Sequence, residues 1–202
     1  ILKPLNKEQI LKTLLKVKND VLKERDLNRQ LSKINPLLKE KFIQNLLFDN
    51  HDYSIEDIYE LAASYHANLT GKYHGIFIID LSDTLQDREA ASYNDNQEIR
   101  ARILDHCKVL MTAYEFEIYL DGINKIVVIL SSNDQAEDLY KDIITLCEKI
   151  IEYAKANVKG NVYIGIGDIC SDISNISKCY FQSLEALEYR QITPENKILS
   201  FK

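Results

Sequence analysis

Residues 115–130 constrain the fold more than any other segment. Glu115-Phe116-Glu117-Ile118-Tyr119-Leu120 alternates polar and apolar residues with the period of two expected of a half-buried strand. Asp121-Gly122 follows, a dipeptide that accepts the positive φ of a tight turn. Lys125-Ile126-Val127-Val128-Ile129-Leu130 then returns as a nearly continuous, β-branched apolar run, the pattern of a buried strand. A hairpin of this kind requires other elements to cover it.

The flanking sequence supplies them. Ser54-Ile55-Glu56-Asp57 resembles a capping box that opens a helix to about Ala67, and 68–72 reads as a turn. Gly75-Ile76-Phe77-Ile78-Ile79-Asp80 predicts a buried central strand. Residues 84–96 are polar and read as a loop, followed by a helix from Gln97 to Ala113. After the hairpin come an amphipathic helix over 134–156, a strand at Val162-Tyr163-Ile164-Gly165-Ile166-Gly167, a helix over 174–190 and a closing strand at 197–201. This alternation around one hairpin predicts an α+β domain whose five-stranded mixed sheet carries its helices mainly on one face.

Ahead of the domain lies a long charged, leucine-rich stretch. From Asn6 to Lys33 the pattern is helical, with Ile10, Leu14, Val17 and Val21 at heptad spacing. Glu24 and Asn28 take the next seam positions, and Leu31 and Leu38 continue the apolar stripe. A coiled-coil dimer is one reading, and a helix packed on its own domain is the other. Asn35-Pro36 predicts a fresh helix start, with Asn as cap and Pro in the first turn. Leu37, Leu38, Phe42, Ile43, Leu46 and Leu47 would pack on the globular part. The chain opens without Met and closes soon after an apolar segment, so it is expected to be a piece of a larger protein.

Composition narrows the function classes. Hydrophobic residues make up 46% and charged residues 28%, which is globular rather than disordered. A net charge of −6 argues against a large nucleic-acid surface, which needs clustered Lys and Arg. No apolar run approaches the ~18 residues that span a bilayer, so no membrane partner is expected and the location is read as cytoplasmic. Cys107, Cys147, Cys170 and Cys179 form no CxxC pair and no zinc spacing, and read as buried free thiols. His51, His66, His74 and His106 show no ligand spacing and read as surface or boundary residues. Gly165 and Gly167 are too few for a dinucleotide fingerprint and read as glycines of close strand packing.

The strand order, the hairpin position, and Ile164-Gly165-Ile166-Gly167 followed by the helix from Ile176 through Tyr180, Ser183 and Ala186 to Tyr189 resemble the degenerate diguanylate-cyclase (GGDEF-like) domains of regulators. The resemblance covers about residues 70–202. Residues 37–47 are similar to the segment preceding such domains in AraC-type response regulators of the YesN kind. The opening Leu2-Lys3-Pro4-Leu5, with Glu8, Ile10, Leu11 and Leu14 behind it, is similar to the end of a phosphorylatable receiver domain. Lys3 and Pro4 match that family's Lys-Pro pair.

These likenesses imply a receiver remnant at 1–5, signalling and dimerisation helices at 6–48 and the GGDEF-like domain at 49–202. They imply a homodimer that couples a receiver, addressed by a sensor histidine kinase, to a helix-turn-helix DNA-binding domain. A diguanylate cyclase needs two carboxylates to hold Mg²⁺ against a triphosphate. In the resemblance Asp80 falls on the metal-binding aspartate, and the signature hairpin falls on Asp121-Gly122-Ile123-Asn124-Lys125. Ile123 and Asn124 stand at the acidic positions, and Asp121 reads as a turn former. The expectation is therefore a domain without enzymatic activity, cofactor or metal. The alternative is a ligand sensor, with Asp80, Asp83 and the Asp121-Gly122 turn lining a cleft for a small molecule or nucleotide.

Overall fold

The structure is a computed structural model that describes residues 34–49, 51–81, 93–122, 124–158, 161–195 and 197–201, with side chains from 97 onward in the segment that starts at 93. The long helix expected over residues 6–33 lies outside the described residues, as do Lys3, Pro4, Ile10, Leu14, Val17, Val21 and Leu31.

Helix α1 covers 34–47. Ile34 and Asn35 are already helical, so Asn35 does not cap a new start. Helix α2 (Ile55–Ser64) begins at the expected capping box: the Ser54 hydroxyl accepts the Asp57 N–H at 3.1 Å, and the Asp57 carboxylate accepts the Ser54 N–H at 3.0 Å. The Ser54 N–H, and after it the Ser54 hydroxyl that donates to the same carboxylate at 2.8 Å, hold the Asp57 carboxyl below its ordinary pKa. Strand β1 (Tyr73–Asp80), helix α3 (Tyr93–Leu110) and the hairpin β2 (Glu115–Asp121) and β3 (Lys125–Ser132) follow. Helix α4 (Ala136–Asn157), strand β4 (Tyr163–Cys170), helix α5 (Ile176–Glu188) and strand β5 (Ile198–Ser200) complete the chain. Short 3-10 turns at Ile173–Asn175 and Tyr189–Gln191 flank α5. Residues 93–96, expected in a loop, are the first turn of α3.

The sheet is five-stranded and mixed, in the order β2-β3-β1-β4-β5. All neighbours are antiparallel except β4 and β5. Helices cover both of its faces, which corrects the expectation of one. On the first face α1, α2 and α5 pack on Ile76, Ile78, Val127 and Ile129. On the second α3 and α4 pack on Phe77, Ile79, Ile126, Val128, Ile164 and Ile166. The physical reason is in the sequence: β1 and β3 are apolar at successive positions, so each exposes an apolar row to both sides.

Strand β4 solves the same problem differently. Ile164 and Ile166 point to the second face, while Gly165 and Gly167 point to the first. A Cβ at Gly165 would lie 2.2 Å from the Ser183 carbonyl oxygen, and one at Gly167 would lie 2.3 Å from that of Cys179. The glycines therefore admit the backbone of α5 directly onto the strand, a helix rather than a strand approach. All four cysteines are free and buried. Among the described residues, no helix is long and apolar enough to cross a membrane.

Candidate functional site

Sheet register gathers the sequence-predicted residues at one end. Lys125 of β3 stands opposite Asp121 on one side and Asp80 on the other, and Asp80 in turn stands opposite Tyr163. Asp80 is 2% exposed, and its Oδ2 accepts a charge-assisted hydrogen bond from Arg190 Nη1 in the 3-10 turn after α5. Tyr163 lies beneath two cations. The Arg190 guanidinium is 6.0 Å from its ring centroid and Lys197 Nζ is 4.2 Å from it. Lys197 Nζ also donates to the Tyr163 hydroxyl at 3.0 Å and to the Pro194 carbonyl at 2.9 Å.

The hairpin turn is anchored from three sides. Asp121 Oδ2 accepts the Tyr180 hydroxyl at 2.9 Å. Burial first, and then this carboxylate, raise the Tyr180 phenol above its ordinary pKa. Phe48 packs edge-on against the Tyr180 ring, 5.3 Å between centroids, so the chain just after α1 touches the same support. The Gly122 carbonyl accepts from Arg100 at 3.3 Å, and the Leu81 N–H donates to the Asn124 carbonyl at 2.8 Å. Gly122 has φ +67°, and a Cβ there would meet no atom within 4 Å. The turn needs its backbone freedom, not its small size.

These residues do not fit a magnesium ion held by two carboxylates. Asp80 and Asp121 belong to strands on opposite sides of β3, about 10 Å apart at the backbone by strand spacing. Asp80 is engaged by Arg190 and Asp121 by Tyr180. Ile123 and Asn124 complete the turn sequence without a carboxylate. Among the described residues, no cluster of three or more His, Cys, Asp and Glu side chains could hold a metal ion. Asp83 lies outside the described residues.

A second set of contacts fastens α1 to the domain. Phe42, Ile43, Leu46 and Leu47 are all buried, with Leu46 and Leu47 at 0% exposure. Lys39 Nζ lies 2.6 Å from Glu117 Oε1 and donates to the His66 carbonyl at 2.9 Å. The Glu117 carboxylate is buried in β2 and also accepts the Asn68 N–H at 2.7 Å. One lysine on α1 thus ties together the end of α2 and strand β2. Leu37 and Leu38, expected on the inner face, are 65% and 42% exposed, as is Ile34 at 48%. The helix buries only its last two turns.

Sequence reasoning did not find Arg190, Tyr180 or Lys39 as partners. A lone basic residue after an apolar helix signals no more than a helix C-terminus, and nothing local pairs Arg190 with a residue 110 positions away. His74, read as a surface or boundary residue, is wholly buried. Its Nδ1 is 2.9 Å from Ser131 Oγ, its Nε2 has no hydrogen-bond partner in the protein, and burial lowers its pKa to about 4. A central-strand position, not its residue type, decided this.

The model of the GGDEF-like domain family matches residues 49–189. No curated protein sequence matches the chain. Among solved structures, the chain resembles the active GGEEF domain of a diguanylate cyclase from Vibrio cholerae, with TM-score 0.51 at 13% identity, over 71% of this chain and 89% of that one. It also resembles an EAL/GGDEF domain protein from M. capsulatus, with TM-score 0.50 at 11% identity, over 66% of this chain and 87% of that one. At these identities the likeness establishes the fold. The expectation that the domain is not an enzyme is corrected here, because the solved structures that share its fold include the active GGEEF domain of a diguanylate cyclase, which is an enzyme. With this sheet order, this hairpin and a family model matched over most of its length, the chain belongs to the GGDEF-like domain family.

Proposed function

We propose that this chain is the signal-transmission and dimerisation region of a cytoplasmic DNA-binding response regulator, in which the GGDEF-like domain receives a movement of the preceding helix. The carrying observation is the docking of α1. Its last two turns are part of the first-face core, and Lys39 joins it to a buried carboxylate of β2. Rotation or translation of α1 has to be met by the sheet edge, because a packed core has few discrete arrangements. The exposed Leu38 continues the apolar stripe of Ile10, Leu14, Val17, Val21 and Leu31, which supports pairing of two copies upstream of the domain. The receiver and the helix-turn-helix partner rest on the sequence likenesses, Lys3-Pro4 among them. The ligand-sensing alternative lacks a comparable observation, since Arg190 covers Asp80.

The test uses the full-length regulator with residues inserted between Lys33 and Ile34. Half a helical turn, about 2 residues, should abolish or invert the transcriptional response, and a full turn, about 4 residues, should restore it. A response indifferent to helical phase overturns the reading. For dimerisation, sedimentation of the chain should show a dimer that Leu14→Asp or Leu31→Asp dissociates. A monomer at all concentrations contradicts it.

A further inference from the structure

At the end of the sheet opposite the hairpin turn, two cysteines of the first-face core, Cys170 at 9% and Cys179 at 3% exposure, line one cleft. Cys170 is the last residue of β4, and Cys179 lies in the first turn of α5. Only the turn capped by Asp172 separates them. Both line one cleft of about 300 Å³, together with Asp168, Asn175, Lys178 and Gln182. The cleft is polar. Gln182 Nε2 donates to Asp168 Oδ2 at 2.9 Å, while Asp168 Oδ1 is buried without a hydrogen-bond partner in the protein. A small polar molecule that donates hydrogen bonds can satisfy that oxygen.

The two thiols are not equivalent. Their mutual interaction lowers the Cys179 pKa and raises that of Cys170. Burial and the Asp168 charge oppose the lowering at Cys179, and Lys178 assists it. The N-terminal turn of a helix favours a thiolate in the same direction. The other two cysteines serve as an internal reference. Cys107 and Cys147 are 0% exposed in the apolar second-face core, and burial raises both thiols, Cys107 to about 12.

We propose that Cys170 and Cys179 form an oxidisable dithiol site that reacts with hydroperoxide to give a reversible disulfide between β4 and α5. The Cys179 thiolate attacks one peroxide oxygen, the O–O bond breaks, hydroxide leaves, and Cys179 becomes a sulfenic acid. The Cys170 sulfur then attacks the Cys179 sulfur, the S–O bond breaks, and the departing hydroxide takes the Cys170 proton as water. Two thiols are oxidised and one hydrogen peroxide is reduced to two waters. A thiol reductant reverses the reaction by exchange. The bridge would fix the start of α5, whose next residue, Tyr180, holds the Asp121 carboxylate of the hairpin. This site is independent of the role proposed for α1.

The experiment treats the reduced, folded chain with hydrogen peroxide and maps the sulfurs by mass spectrometry of its peptides. The expected product is a Cys170–Cys179 disulfide that dithiothreitol reverses, formed more than about tenfold faster than any oxidation of Cys107 or Cys147. In Cys170→Ser the oxidised sulfur should accumulate on Cys179 as sulfenic acid or its further oxides. In Cys179→Ser, Cys170 should remain a thiol over the same time. Absence of the Cys170–Cys179 disulfide in the unsubstituted chain overturns the proposal, and so does oxidation that begins at Cys107 or Cys147. Oxidation of Cys170 in Cys179→Ser at the original rate would reverse the assigned roles and overturn the mechanism. The mapping of the unsubstituted chain stands whether or not either variant folds.

Discussion

The two faces of the sheet are held by different forces. The second face, under α3 and α4, is joined mainly by burial of Phe77, Ile79, Ile103, Ile143, Leu146 and Ile150. The first face, under α1, α2 and α5, has its own apolar core and is also pinned by directional contacts. Lys39 meets Glu117, Tyr180 meets Asp121, and the Ser183 hydroxyl donates to the Ile76 carbonyl at 3.1 Å. The hydrophobic effect is non-directional, whereas hydrogen bonds weaken steeply with geometry. The first face is thus the one on which helix position is specified, and it is the face that receives the helix entering the domain. The second face serves as the platform behind it.

Four experiments test this contrast, in falling order of effect. Leu46→Ala on α1 should cost about 3 kcal/mol, as much as Ile143→Ala on α4, because both side chains are fully buried. Both should move a single urea transition. A Leu46→Ala protein whose sheet unfolds at the original midpoint would show that α1 lies outside the cooperative core. Gly165→Ala should cost about 2–3 kcal/mol, since its Cβ would meet helix backbone rather than a yielding side chain. A neutral Gly165→Ala in a thermal melt would mean that α5 is free to move off β4.

His74 adds a pH signature to the first face. Its folded pKa of about 4 lies below the ordinary 6.5, so the unfolded chain binds the proton first as pH falls. Stability is intact above about pH 6.5, declines as pH falls toward 4, and should be lower by about 2 kcal/mol at pH 5 from this group alone. Denaturation of His74→Gln across pH 4–7 should show a flatter profile, and an unchanged slope would remove His74 as the cause. Lys39→Ala should cost about 1–2 kcal/mol, because the buried Glu117 keeps the Asn68 N–H but loses its counter-charge. Lys141→Ala, which breaks an exposed i,i+3 pair with Asp138, should change stability by less than about 0.5 kcal/mol. Equal effects of the two lysines would erase the distinction between a specifying contact and a surface one.

Much of this architecture was readable from local pattern. The hairpin, the capping box at Ser54 and the Ile-Gly-Ile-Gly strand are short-range signals whose physics is complete within a few residues. What sequence could not supply depended on partners distant in the chain. The apolar runs of β1 and β3 declare that two faces need covering, but not which helices do so. Leu37 and Leu38 carry the same apolar signal as Leu46 and Leu47, yet only the latter reach the sheet, because α1 leaves its surface after two turns. At the candidate site, Asp80 and the Asp121-Gly122 turn were found by resemblance. Their engagement by Arg190 and Tyr180 arises from the path of α5, which no spacing in the sequence encodes. His74 shows the reverse error, a polar residue type outweighed by its place in a central strand.

The role proposed for α1 requires that the helix and the sheet form one cooperative unit. Native-state hydrogen exchange measures this most directly. The amides of Ile43–Leu47 should be protected to the same free energy as those of Ile76–Ile79, and Leu46→Ala should lower both by the same amount. Rapid exchange across α1 while β1 keeps its full protection would contradict it.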